Sequence, residues 1–337
     1  MPNLFDPIEI KSLRLKNRIV MPPMFTKMST PDGAITDRHI VHYTARARGG
    51  AGLIIVEHTY VLPNGKLSPG QLGLYDENLV PRLTQLTRAV HKEGAKIAIQ
   101  LTHAGSRTTR EIIGEQPVGP WNIPAPKDKE APRPLTIPEI ERLVKAFGEA
   151  ARRGMEAGFD AVEIHGAHGF LLCQFLSPYT NQRDDDYGGS PKGRLRLPLE
   201  IIGEVKRRCG KNIPIFYRFG ADDMIDGGLT REEGRLIAPR LEQAGVDVID
   251  VSGGLGGSQH ARLSEQGYFV PLAQGIKEVV TVPVIGVGNI TQPEYADALV
   301  REGRVDLVAI GRLLLSNPDF PKFAAEKLGV ATFGGHQ

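Results

Sequence analysis

The stretch Glu156-Ala157-Gly158-Phe159-Asp160-Ala161-Val162-Glu163 reads as the end of a helix, a glycine and the opening of a buried strand. The same grammar returns at Lys92-Glu93-Gly94-Ala95-Lys96-Ile97-Ala98-Ile99, at Gln243-Ala244-Gly245-Val246-Asp247-Val248-Ile249-Asp250 and at Arg301-Glu302-Gly303-Arg304-Val305-Asp306-Leu307-Val308. In each, glycine suits the left-handed position just past a helix, and an apolar strand starts two or three residues later. The helices before them carry apolar residues at helical spacing, such as Leu79, Leu83, Leu86 and Val90. Thr136…Glu139, Thr230…Glu233 and Thr291…Glu294 have the spacing of a capping box.

Working outward from these repeats, eight strands are predicted, at 18–21, 53–57, 97–101, 161–164, 215–219, 248–251, 284–287 and 307–310. Most are short, apolar and rich in β-branched residues, the pattern of parallel strands buried on both faces. Eight such strands with intervening helices predict an α/β fold, a (β/α)8 TIM barrel. A doubly wound open sheet is the alternative. A short hairpin, Ile8–Ile10 and Leu13–Leu15, precedes strand one and is placed to close the barrel bottom. The Pro/Gly-rich stretch 103–133, which holds the single tryptophan Trp121, is a loop insertion after strand three. Nothing resembles a linker, so residues 1–337 are expected to form one domain.

Composition narrows the function. Of 337 residues, 41% are hydrophobic and 24% charged, and the formal charge is +2. No basic run interleaved with aromatics points to nucleic acid. No signal peptide and no membrane-length apolar run is visible, so a cytoplasmic protein is expected. The two cysteines, Cys173 and Cys209, are too few for a cysteine-ligated iron–sulfur cluster or a four-cysteine zinc site within the chain.

Active sites of this barrel lie at the C-terminal strand ends. After strand four come two histidines three residues apart, His165 and His168, followed by Phe170. Metal ligation, structural pairing and donation to a substrate oxygen are all open to them. Their rim position and the missing third ligand favour donation, so no metal is expected. Gly286-Val287-Gly288-Asn289 after strand seven and Gly311-Arg312 after strand eight suit a phosphate, through close backbone approach and the arginine charge. Gln100 and Arg218 end strands three and five. Their bland reading is a buried amide and a barrel-mouth ion pair. Their functional reading is a planar heterocycle, recognised by a donor-acceptor amide and a fixed positive charge. The acidic run Asp184-Asp185-Asp186 reads as a solvated loop.

With these residues in view, the chain resembles the old yellow enzyme family of FMN-dependent ene-reductases, in its compact bacterial branch. The likeness runs from Leu4-Phe5-Asp6-Pro7-Ile8 and Arg18-Ile19-Val20-Met21-Pro22-Pro23-Met24 to Gly311-Arg312-Leu313-Leu314-Leu315-Ser316-Asn317-Pro318. Its most specific block is His165-Gly166-Ala167-His168-Gly169-Phe170-Leu171 through Gln174-Phe175-Leu176-Ser177-Pro178 and Tyr187-Gly188-Gly189-Ser190-Pro191. The resemblance implies FMN across the barrel mouth. Pro23 and Met24 would line it, Gln100 and Arg218 would meet its pyrimidine edge, and Gly288, Gly311 and Arg312 would take its phosphate. His165 and His168 would hold the activating oxygen of an electron-poor alkene, after NADH or NADPH has reduced the flavin. A homo-oligomer is expected.

Three departures from the family stand out. Phe170 occupies the place of a tyrosine that gives a proton to the substrate α-carbon. Tyr60 and Lys27, both after predicted strand ends, are the substitute acids expected here. Phe25 stands where many relatives carry a flavin-tuning cysteine or threonine. The tail 332–337 lacks the arginine of an arm that enters a neighbour's site. Two other readings stay open: a flavin-binding barrel with altered activity, and a phosphate-binding barrel lyase or isomerase.

Overall fold

All eight predicted strands form, and they pair edge to edge until the ring closes, in a computed structural model that describes residues 1–257 and 264–330. They are β1 (Ile19–Met21), β2 (Leu53–Tyr60), β3 (Lys96–Thr102), β4 (Ala161–Gly166), β5 (Ile215–Gly220), β6 (Val248–Ser252), β7 (Val284–Gly286) and β8 (Leu307–Ala309). Each lies parallel to the next, and β8 returns to β1 with Val308 opposite Ile19 and Ala309 opposite Val20. Helices α1 (Asp37–Arg48), α2 (Val80–Lys92), α3 (Ile137–Glu156), α4 (Pro191–Cys209), α5 (Arg231–Ala244), α6 (Val270–Lys277), α7 (Pro293–Arg301) and α8 (Phe320–Lys327) follow the strands in turn. The four repeat glycines have the expected left-handed backbone, with φ of 72° at Gly94, 88° at Gly158, 115° at Gly245 and 68° at Gly303.

Side chains alternate along each strand between the surrounding helices and the barrel interior. The interior's lower layers are apolar: Leu53, Ala98, Ala161, Phe216, Val248 and Leu307 pack there with Ile10, Leu13 and Leu15 of the N-terminal hairpin, which plugs the bottom as predicted. Two residues further along four of these strands the interior turns polar, with Gln100, Glu163, Arg218 and Asp250 all buried. That polar layer is the floor of the barrel mouth.

Some local details differ from the sequence reading. The capping boxes at Thr136 and Thr230 form, but that at Thr291 does not. Pro293 sets the first turn of α7, which makes Gln292 the cap, and Thr291 instead bonds through N and Oγ1 to Gln266 Oε1 at 3.0 and 3.4 Å. The insertion 103–133 contains a one-turn helix, Arg110–Ile113, and a short strand pair, Val118–Gly119 with Arg133–Pro134. Strand β2 runs three residues beyond its predicted end and slips register between Val56 and Thr59. No helix among the described residues is long and apolar enough to cross a membrane. The tail 332–337 lies outside the described residues.

Candidate active site

The strand ends enclose a cavity of about 640 Å³ at the barrel mouth, within the usual range for a small-molecule site. Of the residues singled out from sequence, Pro23, Met24, Phe25, Gln100, His165, His168, Phe170, Arg218, Gly311 and Arg312 line it. Gly288 stands just behind the wall, between the lining residues Val287 and Asn289. Its φ of 128° and the 2.8 Å from an added Cβ to the Phe269 nitrogen leave no room for a side chain. Arg312 Nη2 donates to Asn289 Oδ1 at 3.0 Å, which fixes one edge of an otherwise exposed guanidinium beside these glycine turns.

Tyr60 and Lys27 are corrections to the sequence reading. Neither lines the cavity. Tyr60 is 2% exposed, stacks on Tyr75 at 5.3 Å and donates its hydroxyl to Asp32 O at 3.2 Å, away from the mouth. Burial raises its phenol further, so it is a poor acid. Lys27 has a left-handed backbone, φ 60°, and an exposed side chain whose Nζ lies 5.9 Å from the Phe25 ring.

His58, two residues before Tyr60, is the β2 side chain that lines the cavity. The register slip in β2 turns His58 into the cavity, between Phe25 at 4.7 Å and Phe170 at 5.2 Å between ring centres. Gln71 Oε1 accepts from Leu67 N at 2.6 Å, so its amide nitrogen faces His58, reaching Nδ1 at 2.7 Å and the carbonyl O at 3.2 Å. Nδ1 is therefore the acceptor, and Nε2 carries the ring hydrogen. Burial lowers the imidazole pKa to about 4, which keeps it neutral near pH 7. Arg107 was also missed. It lies in the insertion after β3, with its guanidinium 5.5 Å from the Phe170 ring and a hydrogen bond to His168 O.

His165 and His168 converge, with ring centres 5.1 Å apart and nearly perpendicular. Ser252 Oγ lies 2.8 Å from His168 Nε2, and His168 N donates to Gly253 O at 3.1 Å, so the end of β6 holds this residue. His168 has φ 57°, a conformation that costs a non-glycine residue about 1–3 kcal/mol and that clusters at functional sites. Burial pushes both imidazoles well down, helped at His165 by the neighbouring His168, so both act as neutral rings and not as cations. Beneath them Gln100 Nε2 donates to Glu163 Oε2 at 2.7 Å and Arg218 Nη1 to Asp250 Oδ2 at 2.6 Å. Further out, Thr26 donates from N and Oγ1 to the buried Glu57, at 3.0 and 2.6 Å, which anchors the loop carrying Met24 and Phe25.

Two buried nitrogens of cavity-lining residues, Arg218 Nε and His165 Nδ1, have no hydrogen-bond partner in the protein. An unsatisfied buried guanidinium nitrogen calls for an acceptor. A flat heterocycle rich in carbonyl and ring-nitrogen acceptors, carrying a phosphate toward Arg312, fits that donor set. Among the described residues no group of three or more His, Cys, Asp or Glu converges as a metal site. Asp185 and Asp186 are taken up by Arg183 and Arg196.

Residues 3–330 match the model of the NADH:flavin oxidoreductase / NADH oxidase family. The chain is 49% identical over 331 residues to an NADH oxidase of Thermoanaerobacter brockii, covering 96% of this chain but 51% of that protein, so it spans about half that relative's length. It is 43% identical to an NADPH dehydrogenase of Clostridium acetobutylicum, over 94% of this chain and 93% of the relative. Among solved structures, an old yellow enzyme homologue from Zymomonas mobilis superposes with a TM-score of 0.85 at 30% identity, over 98% of this chain and 94% of that one.

Proposed function

The chain belongs to the NADH:flavin oxidoreductase / NADH oxidase family, the old yellow enzymes, whose cofactor is FMN and whose reductant is NADH or NADPH, and we propose that this member reduces an electron-poor C=C bond conjugated to a carbonyl or nitro group. The observation that carries this reading is the pair of neutral imidazoles, His165 and His168, converging over a cavity whose floor holds an unsatisfied donor, Arg218 Nε. FMN, when bound, supplies the hydride.

The protein's own residues supply orientation, polarisation and the proton path. His165 and His168 grip the activating oxygen and stabilise the negative charge that grows there. Preorganised donors of this kind are worth roughly 3–4 kcal/mol each in comparable oxyanion sites. Arg218 and Gln100 hold the heterocycle at the cavity floor, and Arg312 with the Gly288 and Gly311 turns holds its phosphate. Pro23, Met24 and Phe25 supply an apolar wall that limits water.

Phe170 has no proton to give. The donors beside its ring are His58, through Nε2, and Arg107. On this reading they hold a water from which the α-carbon is protonated; the hydroxide left behind takes a proton from bulk solvent, and the imidazole stays neutral throughout.

The test is anaerobic. Purified protein is bleached with NADH or NADPH, then mixed with an enone or nitroalkene in the absence of oxygen. Stoichiometric return of the oxidised flavin spectrum with formation of the saturated product is expected. A reduced flavin that returns only with oxygen, and never with any alkene tried, would refute the reading.

A further inference from the structure

The polar floor of the barrel contains more acid than its donors can satisfy. Gln100, Glu163, Arg218 and Asp250 come from β3, β4, β5 and β6, with Gln100 in register with Glu163 and Asp250 in register with Arg218. Gln100 serves one oxygen of Glu163 and Arg218 serves one oxygen of Asp250. The remaining oxygens, Glu163 Oε1 and Asp250 Oδ1, are buried and have no donor in the protein. Both residues are 0% exposed. Glu163 and Asp250 each stand two residues above the apolar layer, on β4 and β6, and so share one buried layer.

Two carboxylates cannot hydrogen-bond to each other, because each is acceptor-only. With both ionised, the layer would hold two negative charges against one guanidinium, out of water. A single proton removes both problems: it supplies the missing donor and brings the layer to neutrality. We infer that Glu163 and Asp250 share one proton that resides on Glu163, so that Asp250 carries the negative charge and Arg218 faces the cavity as half of a neutral ion pair.

The site of the proton follows from the partners. Arg218 lies on Asp250 at 2.6 Å and favours its ionised form, whereas Glu163 has only the neutral Gln100 amide. Burial, and then the neighbouring Asp250, push the Glu163 carboxyl well above its usual range. Burial also raises Asp250, with Arg218 opposing. Glu163 and Asp250 thus become positioning residues. Protonated Glu163 orients the Gln100 amide, with its nitrogen toward Oε2 and its carbonyl left for the bound heterocycle. Asp250 offsets the charge that Arg218 presents to that heterocycle, which makes reduction to an anionic ring harder than a bare arginine would.

The proton assignment rests on protein groups alone, and only its redox consequence rests on flavin in the cavity. Infrared difference spectra of the purified holoenzyme in H2O and D2O should contain a protonated-carboxyl C=O band that disappears in Glu163→Gln. Glutamine is isosteric with the protonated acid, so the midpoint potential of bound FMN and the melting temperature should not shift in that variant. Asp250→Asn should raise the midpoint potential by removing the charge that offsets Arg218. Absence of a protonated-carboxyl band attributable to Glu163 in the parent overturns the assignment, even if no variant folds. So does a rise in potential with Glu163→Gln, which would mean an ionised Glu163. A protein that shows the band yet binds no FMN would sink the flavin reading while leaving the shared proton intact.

Discussion

Phe170→Tyr places a hydroxyl in the middle of the proposed substrate pocket, and its consequences can be worked from the neighbours. The ring is 4% exposed, 4.5 Å from the His165 ring, 5.2 Å from His58 and 5.5 Å from the Arg107 guanidinium. A buried hydroxyl without a partner costs about 1–3 kcal/mol. Here His58 Nε2–H and the guanidinium are both donors to the new oxygen, so the stability loss should stay below about 1 kcal/mol. The gain is a proton source within the pocket. General acid catalysis is typically worth about 10²–10⁴-fold. We expect about 10²-fold, or about 2.7 kcal/mol of barrier, because the surrounding groups are arranged for a phenyl ring and do not align the hydroxyl further. Anaerobic stopped flow separates the steps. Flavin reduction by NAD(P)H should change less than about twofold, since no proton to carbon is involved, which keeps the effect within the alkene half-reaction. Reoxidation by a weakly activated enone such as cyclohexenone should accelerate, and reoxidation by a maleimide should change little. If the parent is already fast with simple enones and the tyrosine brings no gain, then protonation at position 170 does not limit the reaction, and the water path through His58 and Arg107 is sufficient.

Other consequences are open to measurement. Arg312→Ala should weaken FMN binding about fivefold to tenfold, a reduced share of the 1.5–3 kcal/mol of a charge-assisted contact because the side chain is exposed; equal dissociation constants would contradict the phosphate assignment. His165→Ala should leave flavin bound and abolish the long-wavelength band formed with phenolic ligands; a surviving band of full intensity would exclude the imidazole from ligand binding. Stability should fall in acid. His58 is neutral when folded, with a pKa of about 4 against 6.5 in the unfolded chain, so its contribution is complete above pH 6.5 and declines toward pH 4. That loss is about 3 kcal/mol for this one ring, and urea titrations of the parent and of His58→Phe should diverge in their pH slopes over that window.

The strands, the hairpin and the glycine stops were legible because each rests on local chemistry: apolar β-branched runs, and a backbone conformation that glycine tolerates best. His165 was legible for a related reason, since it lies at the end of a strand whose parity is unbroken from Ala161 onward, and His168 follows three residues later. His58 was not. The slip between Val56 and Thr59 changes which residue of β2 faces inward, and nothing local announces a register slip. Tyr60 reads as a rim residue because β2 runs three residues past its predicted end, and Lys27 because nothing local announces a left-handed backbone at a lysine. Arg107, Glu163 and Asp250 were invisible as partners because the contacts that define them join segments far apart in sequence. Glu163 and Asp250 appear in sequence only as acidic residues in apolar runs. That is a signal of a buried carboxyl, though not of its partner.

The pairing of β8 with β1 has a consequence for how the chain is made. Arg18 Nη1 donates to Asp306 O across 288 residues of sequence, and β1 has no partner on that side until β8 exists. At about 5–20 residues per second, a nascent chain waits roughly 15–60 s between the two. Throughout that interval one edge of an apolar parallel sheet is exposed, and closure must then overcome the entropy of a very long loop. β1 has only three residues, Ile19–Met21, and so presents a poor template to a neighbouring chain. Its brevity lets the open sheet wait for its last strand without recruiting the wrong one.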